Sequence, residues 1–508
     1  KILKEDSRRD SVLLAMDGAQ LSGSAAVKVR VVEGSHHSAA RRGVRLVGTG
    51  ARPRSTRRLQ YGGWVTMLIA SIWVLQTSLL SEEGHNHGAF FWLLWRREKR
   101  LSRFSVIYDI VAEQEEEARK KAHAVCIEQS VEVPEELVKD TWIGRQIVGR
   151  IEELHQSPRQ DADAWRVRIS YPDALVGSEM SQLMNIIYGL SSVQAGIQLV
   201  DIELSAGLAA AFRGPRFGIQ GLRAILDVPE GKPILSTALK PLGRSTDELA
   251  QLAYDFARSG GLDIIKDDDG LSDQIFAPFE ERVTAVAAAI RRGSEEIGKK
   301  VLYAPCLNAP ADKILERARF AKKAGAGAVL MLPGITGFDS MKALADDPEF
   351  DLPILCHPSL LSNLGGSNTP ASPVRGFSHG MLFGILPRLA GADVSIFLNI
   401  GGRFNTSQEE CEAIVDACVQ PLGHCKQVMP CPAGGMPLMQ DKVDEMLQVY
   451  GPDQMFLVGG ALYITGERNV TENSRLLAQL SGRELPPLGG ASAIDAGGDA
   501  KEEMPSGE

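Results

Sequence analysis

The sequence predicts an α/β protein: a C-terminal (β/α)8 TIM barrel preceded by a small α+β domain. Two observations carry this expectation. From Pro233 onward, eight short β-branched or apolar runs alternate with amphipathic stretches, the pattern of eight parallel strands closed into a ring by helices. Before them, over residues 104–225, strand-like and helix-forming segments are intermixed, as in an α+β domain. An open doubly wound sheet is the competing arrangement, but no GxGxxG opens a helix after the first strand.

The 508 residues suffice for several domains, and 44% hydrophobic with 23% charged residues is ordinary for a folded chain. The net charge of -9 is unevenly spread: residues 1–58 carry 13 Lys and Arg against 5 Asp and Glu, so the remainder is strongly acidic. That balance argues against binding nucleic acid through its phosphates. Seven Cys are present, and the cluster Cys411, Cys418, Cys425 and Cys431 has neither zinc-ligand nor CxxC spacing. They read as reduced, buried thiols.

Residues 1–60 form a basic leader, rich in Ser, Gly, Ala and Arg and without an apolar period. This is the composition of an organelle targeting peptide or of a disordered tail. Residues 61–103 hold an apolar and then basic segment. Trp64 to Leu80 is predominantly apolar for 17 residues, at the lower limit for crossing a hydrocarbon core of ~30 Å. It reads as a membrane or targeting element, or as a non-native leader. The compartment is correspondingly open: plastid or another organelle after leader removal, otherwise cytoplasm.

In the small domain, SVIYDIV, RVRISY and IQLVDIEL read as strands, and Glu113 to Val125 and Ser178 to Tyr188 as helices. The barrel, 226–482, has strands expected at Ile234 to Lys240, Leu262 to Asp268, Val301 to Leu307, Ala328 to Leu332, Pro353 to Pro358, Val394 to Ile400, Gln427 to Pro432 and Met455 to Gly459. Helices are expected at Thr246 to Ser259, Phe279 to Ile297, Asp312 to Ala324 and Gln408 to Val419. Residues 483–508, made of Gly, Ala, Pro and acids, read as a disordered tail.

Chemistry in such a barrel collects at the C-terminal strand ends. There the sequence places Lys240, Lys266 with Asp268 and Asp269, Asn308, His357, Arg403, and the glycine pairs Gly434–Gly435 and Gly459–Gly460. In GGLDIIKDDDG, Lys266 and Asp268 share strand parity, with Asp269 at the exit. A buried ammonium beside carboxylates is either a plain salt bridge or an amine that reacts with CO2. The carbamate would complete an oxygen-only ligand set suited to Mg2+. Such a metal polarises a carbonyl and stabilises an enediolate. The glycine pairs leave backbone N–H groups open to a phosphate. His357 is suited to acid–base or substrate contact, Lys240 to general base or electrostatic work, and Arg403 to folding over an anion. His379 reads as helical and structural.

The constellation resembles the large subunit of ribulose-bisphosphate carboxylase, and more closely the RuBisCO-like proteins of form IV, across residues 104–482. GPRFGIQGLR leading to ALKP, GGLDIIKDDD, RLAGAD, PAGGMP and VGGAL carry the likeness. The resemblance implies that Lys266 is the carbamylated ligand, with Asp268 and Asp269 its acidic co-ligands for Mg2+. It further implies Lys240 as the proton-abstracting lysine, His357 as the strand-five histidine and Arg403 at the loop-six lysine position. Glu128, in CIEQS, matches a glutamate lent to a neighbouring subunit's site, which implies a homodimer with shared active sites and a phosphorylated small-molecule substrate.

Departures accompany the match. KPLG is one residue shorter than the carboxylase pattern KPKLG, Pro358 follows His357, and Val394 and Ile396 replace strand-six histidines. Ala433 stands for a serine and Asp269 for a glutamate. Arg403 does not reproduce a compact ammonium, which argues against CO2 fixation. The metal–enediolate residues are better kept, and LNIGGRF with PAGGM resembles a branch that decarboxylates phosphorylated oxo-acids. The implied activity is Mg2+-dependent enolisation, as a carboxy-lyase or isomerase, on a phosphorylated sugar-derived ketone or keto acid. The alternatives are a carboxylase proper and a degenerate, non-enzymatic barrel.

Overall fold

The computed structural model describes residues 100–159, 163–365, 374–401, 406–463 and 469–488, with the backbone of three short strands before them. Two compact units divide the chain, Lys1–Arg97 and Glu98–Glu508. In the first, β1 (Ser11–Leu14), β2 (Val27–Arg30) and β3 (Arg45–Val47) pair antiparallel. The apolar run 64–80 lies outside the described residues, among which no helix is long and apolar enough to cross a membrane.

The second unit begins with a five-stranded sheet. Its own segment supplies β4 (Arg103–Val111), β5 (Arg150–Gln156), β6 (Ala164–Pro172) and β7 (Ile197–Glu203). Alternation in β4 sends Phe104, Val106, Tyr108 and Ile110 into the core. The helix Glu115–Glu128 buries Ala118, Ala122, Val125 and Cys126. A fifth strand, β13 (Arg375–Phe377), comes from far along the chain and pairs parallel with β7. The barrel segment thereby lends the small sheet an edge.

Eight parallel strands make the barrel: β8 (Ile234–Leu239), β9 (Ile264–Asp267), β10 (Leu302–Ala304), β11 (Val329–Met331), β12 (Ile354–Cys356), β14 (Val394–Leu398), β15 (Met429–Ala433) and β16 (Met455–Leu457). Hydrogen bonding runs in the order β10-β9-β8-β16-β15-β14-β12-β11. A bridge between Cys306 and Leu330 joins the two ends, with Leu330 N donating to Pro305 O at 2.9 Å and Leu307 N to Leu330 O at 3.0 Å. The ring therefore closes, and the doubly wound alternative is excluded.

The lower interior is apolar, filled by side chains such as Ile264, Leu302, Leu330, Leu355, Val394 and Met429. The helix Gly218–Leu226 plugs this end with Ile219, Leu222 and Leu226. Asp393 fixes the plug, accepting from the backbone N–H of Phe217 at 2.7 Å, Gly218 at 2.8 Å and Ile354 at 3.0 Å.

Alternation along β9 splits its charges between two layers. Asp263 and Asp267 face outward. Asp267 is fully buried against Arg282 of the helix Phe279–Ile297 at 3.2 Å, and accepts from Tyr303 Oη at 2.7 Å and Cys306 N at 3.1 Å. Asp263 takes Lys299 at 2.9 Å and both ends of the Arg483 fork at 2.9 and 3.0 Å. Ordered chain thus continues past Gly482, where the sequence reading ends the barrel. Pro486 O also accepts from Arg475 at 3.0 Å.

The Arg282–Asp267 pair ties β9 to its following helix without solvent access, so removing one partner strands a buried charge. Arg282→Met should lower unfolding free energy by about 3–5 kcal/mol in urea titrations. A loss below about 0.5 kcal/mol, the level of an exposed substitution, would show that the pair holds nothing.

Candidate active site

Lys266 occupies an inward position of β9, and Asp268, the first residue beyond the strand, keeps the same parity. Lys266 is 1% exposed, set above the apolar floor with Cys306 and Cys431 among its neighbours. Its Nζ donates to Asp267 O at 3.0 Å, and among the described residues it makes no ion pair with a carboxylate. Lys266 is therefore not held in a plain salt bridge among the described residues. Burial pushes the Lys266 amine below its ordinary value; Asp268 and Asp269 act the other way, and Lys240 adds to the depression.

Lys240 follows β8, and its Nζ pairs with Asp268 Oδ2 at 2.7 Å. A Cβ at Gly459 would stand 3.8 Å from Lys240 Cε, so a larger side chain there would press on the lysine. Tyr463 sets the backbone beneath: its hydroxyl accepts from Lys240 N at 3.0 Å and donates to Ala238 O at 2.8 Å.

His357 ends β12 on the interior side. Its Nδ1 lies 2.9 Å from Ser359 Oγ, which donates to Asp269 Oδ2 at 3.1 Å. His357 Nε2 is 3.9 Å from Asp269 Oδ1, too long for a hydrogen bond. Burial, with Lys266 and Lys240 nearby, brings the imidazole down to about 3, so it is neutral at pH 7. Leu360, which follows Ser359, is left-handed at φ 67° although 58% exposed, a conformation that costs a non-glycine residue about 1–3 kcal/mol.

Gly434 and Gly435, at φ 85° and 73°, follow β15, and Gly459 with Gly460 follows β16, leaving these strand ends bare of side chains. Asn308 carries a structural duty the sequence did not signal: its carbonyl accepts from Ser272 Oγ at 2.6 Å and Arg317 at 2.6 Å. Glu128 closes the helix on the small sheet, and Arg403 lies outside the described residues. His379 begins a helical segment and meets Glu410 Oε1 at 3.2 Å, a structural contact. All seven cysteines are free and buried; desolvation raises the Cys306 thiol to about 12.

Residues 218–468 match the ribulose bisphosphate carboxylase large chain, catalytic domain. The ribulose bisphosphate carboxylase-like protein 1 of Rhodopseudomonas palustris is 37% identical over 379 residues, 75% of this chain and 98% of that protein. The chain belongs to the RuBisCO large-chain family. A crystal structure of a Rubisco-like protein from the same species matches with a TM-score of 0.65 at 34% identity, covering 75% of this chain and 97% of that one. The 5-methylthioribulose-1-phosphate isomerase of Rhodospirillum rubrum is 37% identical over 363 residues, 71% of this chain and 92% of that protein. The 2,3-diketo-5-methylthiopentyl-1-phosphate enolase of Bacillus pumilus is 29% identical over 368 residues, 72% and 88%.

As a RuBisCO-like chain, it can be tested for fit to Mg2+ on its donors. Among the described residues no three His, Cys, Asp or Glu side chains converge as a metal site. The strand-two motif offers two carboxylates, and Lys266 supplies a third oxygen donor only as a carbamate. Asp268 already holds a cation, the Lys240 ammonium at 2.7 Å, and Asp269 faces the same mouth at 40% side-chain exposure. Oxygen ligands of that kind, partly open to solvent, fit Mg2+ with retained waters.

Ser359 and Tyr463 were not signalled in advance. A serine two residues after a strand-end histidine is the only trace of the first, and an aromatic shortly after VGGAL of the second. Neutral His357 gives a pH test: the unfolded imidazole protonates near its ordinary 6.5, the folded one near 3, so stability falls as pH drops across that window. His357→Gln should flatten the slope of unfolding free energy against pH between about 6.5 and 3. An unchanged slope would place the imidazole in solvent.

Proposed function

We propose that this protein is a Mg2+-dependent enolising enzyme acting on a phosphorylated sugar-derived ketone or keto acid, by isomerisation, tautomerisation or loss of CO2. One observation carries the reading: a Lys266 amine buried in the ring without a carboxylate ion-pair partner among the described residues, with two carboxylates and a second lysine at the mouth above it. The isomerase and enolase relatives act, by their names, on 1-phosphates, which supports the same substrate class.

Lys266 as carbamate, Asp268 and Asp269 would hold the metal. Mg2+ there would polarise the substrate carbonyl and stabilise the charge of an enediolate. Lys240, at the rim with room left by Gly459, would remove the proton beside that carbonyl once it has left Asp268 and given up its own proton to become the free amine. His357 is neutral and can exchange hydrogen bonds with a substrate hydroxyl without adding charge. The bare backbone at Gly434–Gly435 and Gly459–Gly460 suits a phosphate, and Arg403 would add its fork to an anion. Loops after strands one, two and five expose Leu242, Ile275, Phe276 and Leu360, apolar surface beside the mouth. Cover by the small domain of a second copy, contributing Glu128, fits that surface.

The test follows deuterium uptake, isomer formation and CO2 release in D2O with Mg2+. The substrates are 5-methylthioribulose 1-phosphate, 2,3-diketo-5-methylthiopentyl 1-phosphate and phosphorylated sugar acids. The wild type should turn over at least one of them, and chelation should stop it. Lys266→Ala should lower kcat/KM by at least about a thousand-fold, since several kcal/mol of charge stabilisation would vanish. Turnover retained by that variant would overturn the reading.

A further inference from the structure

Two contacts meet at His357 Nδ1, and both can operate only if that nitrogen is bare and the Ser359 hydroxyl donates to it. Ser359 N approaches it at 3.3 Å as a donor, which needs a bare nitrogen, while Ser359 Oγ stands closer at 2.9 Å. The hydroxyl has one hydrogen, and its other neighbour, Asp269 Oδ2 at 3.1 Å, is a carboxylate oxygen. A carboxylate is the stronger acceptor, and hydrogen bonds to it are about twice as strong as neutral ones. The hydroxyl hydrogen therefore goes to Asp269, leaving the Oγ lone pair facing the ring. That arrangement is satisfied when Nδ1 carries the proton and donates.

We propose that Ser359 is a positioning residue that holds His357 as the Nδ1–H tautomer, so that Nε2 offers a bare lone pair to the active site. The chain His357 Nδ1–H to Ser359 Oγ–H to Asp269 joins strand five to strand two. It makes His357 an acceptor, selective for a substrate hydroxyl over a carbonyl or carboxylate at that place. Nε2 stays 3.9 Å from Asp269 Oδ1, out of bonding range.

The surrounding backbone holds Ser359 in place. Leu360 takes the left-handed conformation at φ 67°, and Gly334 from the preceding loop lies flat against the turn. A Cβ on Gly334 would come within 2.4 Å of Ser359 O and 2.7 Å of Leu361 N. A close approach of this kind admits only glycine. Two loops are thus fitted to each other around the Ser359 hydroxyl, which touches both His357 and Asp269.

The naming of a substrate hydroxyl rests on the enolising reading; the tautomer does not. The full chain, labelled with 15N-histidine, is therefore measured without substrate by long-range 1H–15N correlation, with His357 assigned from its loss in His357→Gln. The wild type should show a protonated Nδ1 and a bare Nε2. Ser359→Ala should move His357 to the Nε2–H form or a mixture, and Ser359→Thr, which keeps the hydroxyl, should retain the original pattern. A wild-type Nε2–H tautomer, or a pattern unmoved in Ser359→Ala, overturns the proposal. Should Ser359→Ala disturb the other histidine signals as a misfolded chain would, the wild-type tautomer alone decides. A kinetic arm uses 5-methylthioribulose 1-phosphate as probe. Where it is turned over, Ser359→Ala should lower kcat more than it raises KM, and threonine should restore it. Absence of wild-type turnover on every one of the phosphorylated substrates named above would count against the enolising reading while leaving the tautomer result standing.

Discussion

An amine buried inside a ring of strands, with no carboxylate paired to it among the described residues, is the constraint on which the rest of this molecule depends. Desolvation disfavours the charged form, and the carboxylates that restrain the shift stand one step above, at the mouth. A buried lysine in that position is expensive as an ammonium and accessible as a nucleophile. Carbamate formation would exchange it for an anion whose natural counterion is a hard divalent metal. The chemistry proposed for the RuBisCO-like site begins with that imbalance.

Parity alone divides the charges of β9, the second barrel strand, into two sets. Its outward carboxylates, Asp263 and Asp267, are consumed by Lys299, Arg483 and Arg282 and hold the helical layer and the chain beyond Gly482 against the ring. Its inward pair, Lys266 and Asp268, takes no part in holding the helical layer and is the pair proposed for chemistry, and Asp269 reaches across to the turn after β12 through Ser359. Four acids and one lysine in a short segment would be ruinous on a single face. Alternation makes them two separate systems.

The barrel was legible because each strand is a short apolar run between amphipathic helices, a local signal repeated eight times. The Phe279–Ile297 and Gln408–Val419 helices lie where their periodicity places them, and β9 fulfils the parity expected of Lys266 and Asp268. Long-range pairing carried no such signal. Arg375–Phe377 is three residues that become a strand only because β7 offers an edge, and β5 is so exposed that its run RIEELHQ has little apolar alternation to read. Arg483 looked like the start of a disordered tail because its partner, Asp263, is 220 residues away. In the site, Lys240, His357 and the strand-two acids were readable from strand ends. Ser359 was not, since its role comes from a left-handed turn that no residue pattern announces.

The most direct test is 13C NMR of the protein equilibrated with 13C-bicarbonate and Mg2+. A carbamate carbon that grows in with the metal, and is absent from Lys266→Arg protein under the same conditions, is the result this account predicts. A labelled carbamate that persists in that variant, or none at saturating Mg2+ and CO2, would contradict it.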